Sequence, residues 1–297
     1  MTVVKALTRR WMSLDLVWST VMAIKSLLVS ASGDPGRDAR RNLACDLASA
    51  FDAHILGIGA SALVSLPIDP YGVNAMSGQL QQLYREMAET DIRTSKARFS
   101  EIVGRRAPQS IWLQAIDNPA TVINTAAKAA DLVLVAAHGV GAPSRAPRAV
   151  DVVTGCGRPV LVVPKTPFQS PLDRPAIVAW KDSRESRLAA AAALPLLKKA
   201  SEVQVVSVCE KADVAASEIG REAVIAWLSR HSVRATLSTI VKNQVPAAQR
   251  LLDYAAPMGA GLIVAGAYGH TRLTEWVLGG VTRSLMSDSH ICVLTAH

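Results

Sequence analysis

Residues 266–280 hold the pattern best able to do chemistry. Gly266-Ala267-Tyr268-Gly269-His270-Thr271-Arg272 runs on to Gly279-Gly280, a G-x2-G-x9-G-G spacing. Glycine lets the main chain approach an anion with no Cβ in the way. Gly279 and Gly280 open a predicted helix, whose first N–H groups lack partners and carry partial positive charge. His270 and Arg272 can add donors or charge, and the Arg272 guanidinium suits phosphate better. The spacing therefore predicts a phosphate cradle. A plain strand-to-helix loop with glycines at its turns is the alternative, and it leaves the regular spacing unexplained.

Other chemistries find little support. The chain has no GxxxxGK[ST] loop, no HExxH helix and no GxSxG elbow. Its histidines form no ligand spacing, and Cys45, Cys156, Cys209 and Cys292 lie far apart without a CxxC pair. Cys209 and Cys292 end aliphatic runs, where a thiol usually acts as a small buried hydrophobe. Asp182 and Glu185 fall on an early helical turn, where acids favour the helix dipole over acid/base work. No general base with a convincing placement is evident, so the residues leave open whether the chain is an enzyme and imply at most weak hydrolysis of a bound phosphate ligand.

The elements that must position the loop emerge from an internal repeat. Strands are expected at 26–29, 54–59, 111–116, 131–136 and 158–163, then again at 176–180, 203–208, 235–241, 261–266 and 290–294. Helices are expected near 37–51, 79–105, 184–200, 214–231 and from about 280. Strands alternating with helices imply parallel sheets with right-handed crossovers. The fold class is thus α/β: two doubly wound five-stranded parallel-sheet domains in tandem. The boundaries read as an extension over 1–21, a first domain over 22–165, a linker over 166–174 and a second domain over 175–297. Prolines at 164, 167, 171 and 175 predict a stiff, extended linker.

The loop and its setting resemble the universal stress proteins in their tandem two-domain form. Nucleotide-binding members carry G-x2-G-x9-G-(S/T), matched by Gly266, Gly269 and Gly279, with Gly280 where Ser or Thr is usual. Val281-Thr282-Arg283 and Ala179-Trp180-Lys181-Asp182-Ser183 are also similar to that family. The resemblance implies an adenine nucleotide, ATP, held in the second domain by main-chain N–H groups around Gly269, Gly279 and Gly280, with Arg272 and His270 nearby and Val281 following. Adenine would sit near Ala179–Lys181 and Val208. Mg²⁺ would accompany ATP with the phosphates supplying most of its ligands. Members usually carry an Asp just after the first strand; here Lys181 holds that register and Asp182 follows it. Lys181 either reaches a phosphate or is solvated. The alternative is an interaction or scaffold module of the same fold that has lost the nucleotide. The resemblance further implies pairing of the two halves through their last strands, a homodimer, and a cytoplasmic stress-response role.

The first half's corresponding loop, Ala137-His138-Gly139-Val140-Gly141-Ala142-Pro143, lacks the later glycine. Pro143 and Pro147 also remove backbone donors. This half is expected to bind no nucleotide. The 297 residues are half hydrophobic with a net charge of +8. Basic pairs such as Arg40-Arg41, Arg105-Arg106 and Lys198-Lys199 are scattered without interleaved aromatics, so they read as solvated helix faces rather than a nucleic-acid platform. Val4, Leu7, Trp11, Leu14, Trp18 and Val21 mark one face of a helix. That stretch is too short and charged to span a membrane. It is either an extension ahead of a working start at Met22 or an amphipathic docking helix.

Overall fold

A computed structural model of the chain describes residues 23–31, 37–63, 75–137, 146–267 and 280–297. The extension over 1–21 lies outside them. The first half supplies β1 (Ser26–Ser30), α1 (Arg37–Phe51), β2 (His54–Ala60), α2 (Ala75–Arg106), β3 (Ile111–Ala115), α3 (Pro119–Ala126), β4 (Leu132–Ala136), α4 (Ala149–Gly155) and β5 (Val160–Val163). The second supplies β6 (Ala176–Ala179), α5 (Arg184–Leu197), β7 (Val203–Cys209), α6 (Val214–Arg230), β8 (Ala235–Val241), α7 (Ala247–Ala255), β9 (Leu262–Gly266), α8 (Gly280–Asp288) and β10 (Cys292–Ala296).

Local chemistry sets several of these boundaries. Asn118 caps α3 by accepting from the N–H groups of Ala120 and Thr121, and Pro119 occupies the first turn, where no N–H is needed. Ser183 caps α5 through the N–H of Ser186, with Glu185 in the first turn. Helix α5 was expected to reach residue 200. It stops at Leu197, soon after Pro195, and Lys198 and Lys199 form a turn. Helix α4 is only seven residues long and has no side-chain cap, in keeping with its weak sequence signal.

All ten strands join one sheet in the order β3-β2-β1-β4-β5-β10-β9-β6-β7-β8. Neighbours are parallel within each half. The halves meet where β5 and β10 run antiparallel, with Leu161 opposite Leu294 and Val162 opposite Val293. Strand pleating sends alternate residues to opposite faces. Leu27, Val29, Leu161, Val178 and Leu294 share one core with α1, α2, α5 and α6. Leu28, Val162, Ile177, Ile263 and Val293 share the other with α3, α4, α7 and α8. Each core therefore runs unbroken across the seam. Burial pushes the Cys292 thiol well above its ordinary value and keeps it inert, whereas Cys209 is only half-buried.

The proline-rich segment between the halves packs against the sheet: Pro171 is buried, and Phe168 and Leu172 pack against the core. The Asp173 N–H donates to the Lys199 carbonyl at 3.0 Å. A Cβ on Gly261 would lie 2.0 Å from the Ser170 carbonyl oxygen, so glycine there admits the segment. The apolar side chains between the prolines hold it down. One expectation is corrected: Arg40 and Arg41 are wholly buried rather than solvated. Arg105, Arg106, Lys198 and Lys199 are exposed as expected.

Because both cores cross the seam, truncating Leu294 should weaken the whole chain. Leu294→Ala is expected to cost about 2–5 kcal/mol. Hydrogen exchange should then accelerate in β1 and β6 together. Acceleration confined to β6 would mean that the halves unfold independently.

Candidate functional site

Strand β6 lies between β7 and β9. It feeds α5 on one face of the sheet, while β9 feeds α8 on the other. The connections diverge at the carboxyl ends of β6 and β9, the place where sheets of this topology form a crevice. This is the topological switch point at which doubly wound sheets take their ligands.

Ala179 and Val208 lie half-buried at the ends of β6 and β7. Between them the Trp180 main chain is fully engaged: its N–H donates to Val206 at 2.8 Å, and its carbonyl accepts from the buried Ser207 hydroxyl at 2.9 Å. Lys181 and Asp182 follow on the rim, both exposed. The Asp182 carboxylate pairs with Arg187 at 2.5 Å, within its own helical entry. Its acid is thus turned to its own chain.

Gly266 ends β9. A Cβ there would come within 2.5 Å of the Ser186 nitrogen and 2.6 Å of the Glu185 carbonyl carbon. This glycine is required because the first turn of α5 packs directly on the end of β9. The Gly266 carbonyl accepts from the Thr282 hydroxyl at 2.9 Å, and Thr282 is buried in the first turn of α8. That bond holds the start of α8 against the end of β9. Gly280 opens α8 with nothing within 4 Å of the place a Cβ would take, and Val281 beside it is exposed. The Gly280 Cβ position is thus open, and the first N–H groups of a helix are in general those able to receive an anion.

Of the predicted site residues, Ala179, Lys181, Asp182, Val208 and Gly266 lie at or just after the carboxyl ends of β6, β7 and β9, and Gly280 and Val281 lie at the start of α8. Gly269, His270, Arg272 and Gly279 lie outside the described residues. Sequence reasoning missed two contributors. Thr282 bonds a main-chain carbonyl sixteen residues earlier, a partner no local pattern reveals. Ser186, whose nitrogen lies where a Cβ on Gly266 would come, was hidden in the same way. Among the described residues, no group of three or more His, Cys, Asp or Glu side chains could hold a metal ion, and no helix is long and apolar enough to cross a membrane.

A separate open groove of about 470 Å³ lies between α2 and the end of β3, lined by Glu89, Arg93, Lys96 and Gln114. It sits at the sheet edge and mixes both signs of charge.

No protein-family model and no curated protein sequence matches the chain. Solved structures do match its fold. A universal stress protein from Archaeoglobus fulgidus aligns with a TM-score of 0.62 at 16% identity, covering 91% of this chain and 97% of that one. A functionally unknown protein from Pseudomonas aeruginosa aligns with a TM-score of 0.55 at 16% identity, covering 93% of each chain. The chain has the universal-stress-protein fold over nearly its whole length.

The contacts of Gly266 make it a packing residue whatever the crevice holds. Gly266→Ala should lower stability by about 1–3 kcal/mol without any nucleotide. Thr282→Val should cost about 1 kcal/mol by removing the tie between α8 and β9. Urea unfolding of the purified chain checks both. An unchanged midpoint for Gly266→Ala would mean that α5 does not press on β9.

Proposed function

We propose that this chain is a stress-response protein that binds an adenine nucleotide, ATP, at the β6–β9 switch point. The carrying observation is the start of α8, open at Gly280 and fastened to the end of β9 by Thr282. The ends of the G-x2-G-x9-G-G segment are thereby brought to the mouth of the crevice. Main-chain N–H groups at Gly269, Gly279 and Gly280, with Val281 next in the helix, would hold the phosphates; Arg272 and His270 would add charge and donors. Adenine would lie over Ala179 and Val208. Lys181, on the rim, is within the same region as the phosphates. Mg²⁺ would be held chiefly by the nucleotide's own oxygens. The chain supplies binding and orientation, and no side chain is assigned to proton transfer.

A second reading has its own observation. Asp182, the acid nearest the expected ribose position, is committed to Arg187. A module that has given up nucleotide for a protein partner would look the same there. The readings diverge on one measurement. ATP at millimolar concentration should raise the melting temperature of the wild-type chain, and Gly269→Val should abolish that rise by placing a branched side chain against the phosphates. Asp182→Ala should preserve it, since that carboxylate faces Arg187. A wild-type chain whose melting is indifferent to ATP would favour the partner-binding module.

A further inference from the structure

The two free edges of the sheet, β3 and β8, are guarded unequally. Arg234 and Lys242 flank β8, and charge on an edge strand discourages pairing with another chain. The buried Arg221 side chain also bonds the Ser238 carbonyl and the Thr239 hydroxyl there. Strand β3, Ile111-Trp112-Leu113-Gln114-Ala115, has no charge and no proline. It pairs with β2 alone. On the β2 side, the Ala115 carbonyl accepts from the Ser61 N–H at 3.3 Å. Main-chain direction alternates along a strand, so the N–H and C=O groups of Trp112 and Gln114 point away from β2, to the open edge. On the face opposite Trp112, Ile111 is 53% exposed and Leu113 37%.

The groove of about 470 Å³ between α2 and β3 begins where this strand ends. Phe99 anchors α2 here, with its ring centroid 5.3 Å from that of Trp112. Back toward the start of the helix, Lys96, Arg93 and Glu89 follow one another along the groove at spacings of three and four, which is one helical face. Gln114 lines the groove from the strand, and its side-chain carbonyl accepts from the Trp112 indole N–H at 2.9 Å. Neither cation has an ion-pair partner among the described residues, and Arg93 reaches only the Thr90 hydroxyl at 3.2 Å. Both stand nearer the strand end than Glu89, which lies four residues beyond Arg93, or about 6 Å along the helix. The end of the groove next to the free edge is therefore basic.

We propose that the β3 edge captures an extended acidic segment of a partner protein by strand addition. Main-chain groups of the segment pair with those of Trp112 and Gln114. Its alternate apolar side chains lie beside Ile111 and Leu113, and its acidic residues enter the groove against Lys96 and Arg93. The edge supplies affinity and the two cations supply selectivity. A second copy of this chain fits less well. In the antiparallel pairing that a two-fold axis requires, the uncharged Pro108-Gln109-Ser110 of the other copy would come to the groove. The surface shares no residue with the nucleotide site proposed above, so either can stand without the other.

Fluorescence anisotropy with the full-length chain tests this. The probe is a labelled peptide with an alternating threonine–valine core and two glutamates at each end; the comparison peptide carries lysines in their place. The glutamate peptide should bind about tenfold more tightly than the lysine peptide. Arg93→Glu combined with Lys96→Glu should invert that preference, an outcome that misfolding cannot mimic. Gln114→Pro removes an outward N–H that the fold does not use, and edge strands tolerate proline. It should weaken the glutamate peptide about tenfold while the chain still melts cooperatively. The proposal is overturned if the glutamate peptide does not bind at millimolar concentration, if both peptides bind equally, or if the charge-reversed chain keeps the wild-type preference. Unchanged affinity in Gln114→Pro overturns it as well. So does a concentration-dependent dimer in sedimentation that Gln114→Pro dissolves, which would assign the edge to a second copy.

Discussion

If the two halves folded apart, β5 and β10 would each present an open edge lined by fully buried aliphatic residues. Their antiparallel pairing removes both edges at once. It also welds two parallel sheets into one and makes each hydrophobic layer continuous from one half to the other. The remaining free edges are β3 and β8, at the far ends of the sheet. Both switch points depend on this seam. The strands that end in the crevices, β4 and β9, are the immediate neighbours of β5 and β10, so the seam braces the floor of each.

Two crevices of one topology are filled in opposite ways. In the second half, a glycine at the end of β9 lets the first turn of α5 approach the strand, and a threonine from α8 closes the other side. In the first half, alanine replaces that glycine, and guanidinium groups from α1 cap the carbonyls at the end of β1 and just beyond it.

Much of this was legible because its signals are local. Aliphatic runs such as Leu132–Ala136 and Leu262–Gly266 read as buried parallel strands, and their matching order exposed the repeat. The glycine spacing after β9 marked the end of that strand at Gly266 and the start of a helix at Gly280. The failures share a cause as well. Arg40 and Arg41 look like any exposed basic pair on a helix, because their partners lie on β1 and α2. The proline-rich stretch looked like a spacer, because Phe168 and Leu172 find their apolar contacts only once the sheet exists.

By itself the sequence determined the order and kind of the elements and the doubling of the fold, since periodicity, capping and turn residues act over a few residues. Tertiary structure alone decided that the two sheets become one, that Gly266 serves packing as well as any ligand, and which charged side chains are buried. Those outcomes depend on pairs of groups distant in the chain, and their burial and hydrogen bonding exist only when the strands and helices are assembled.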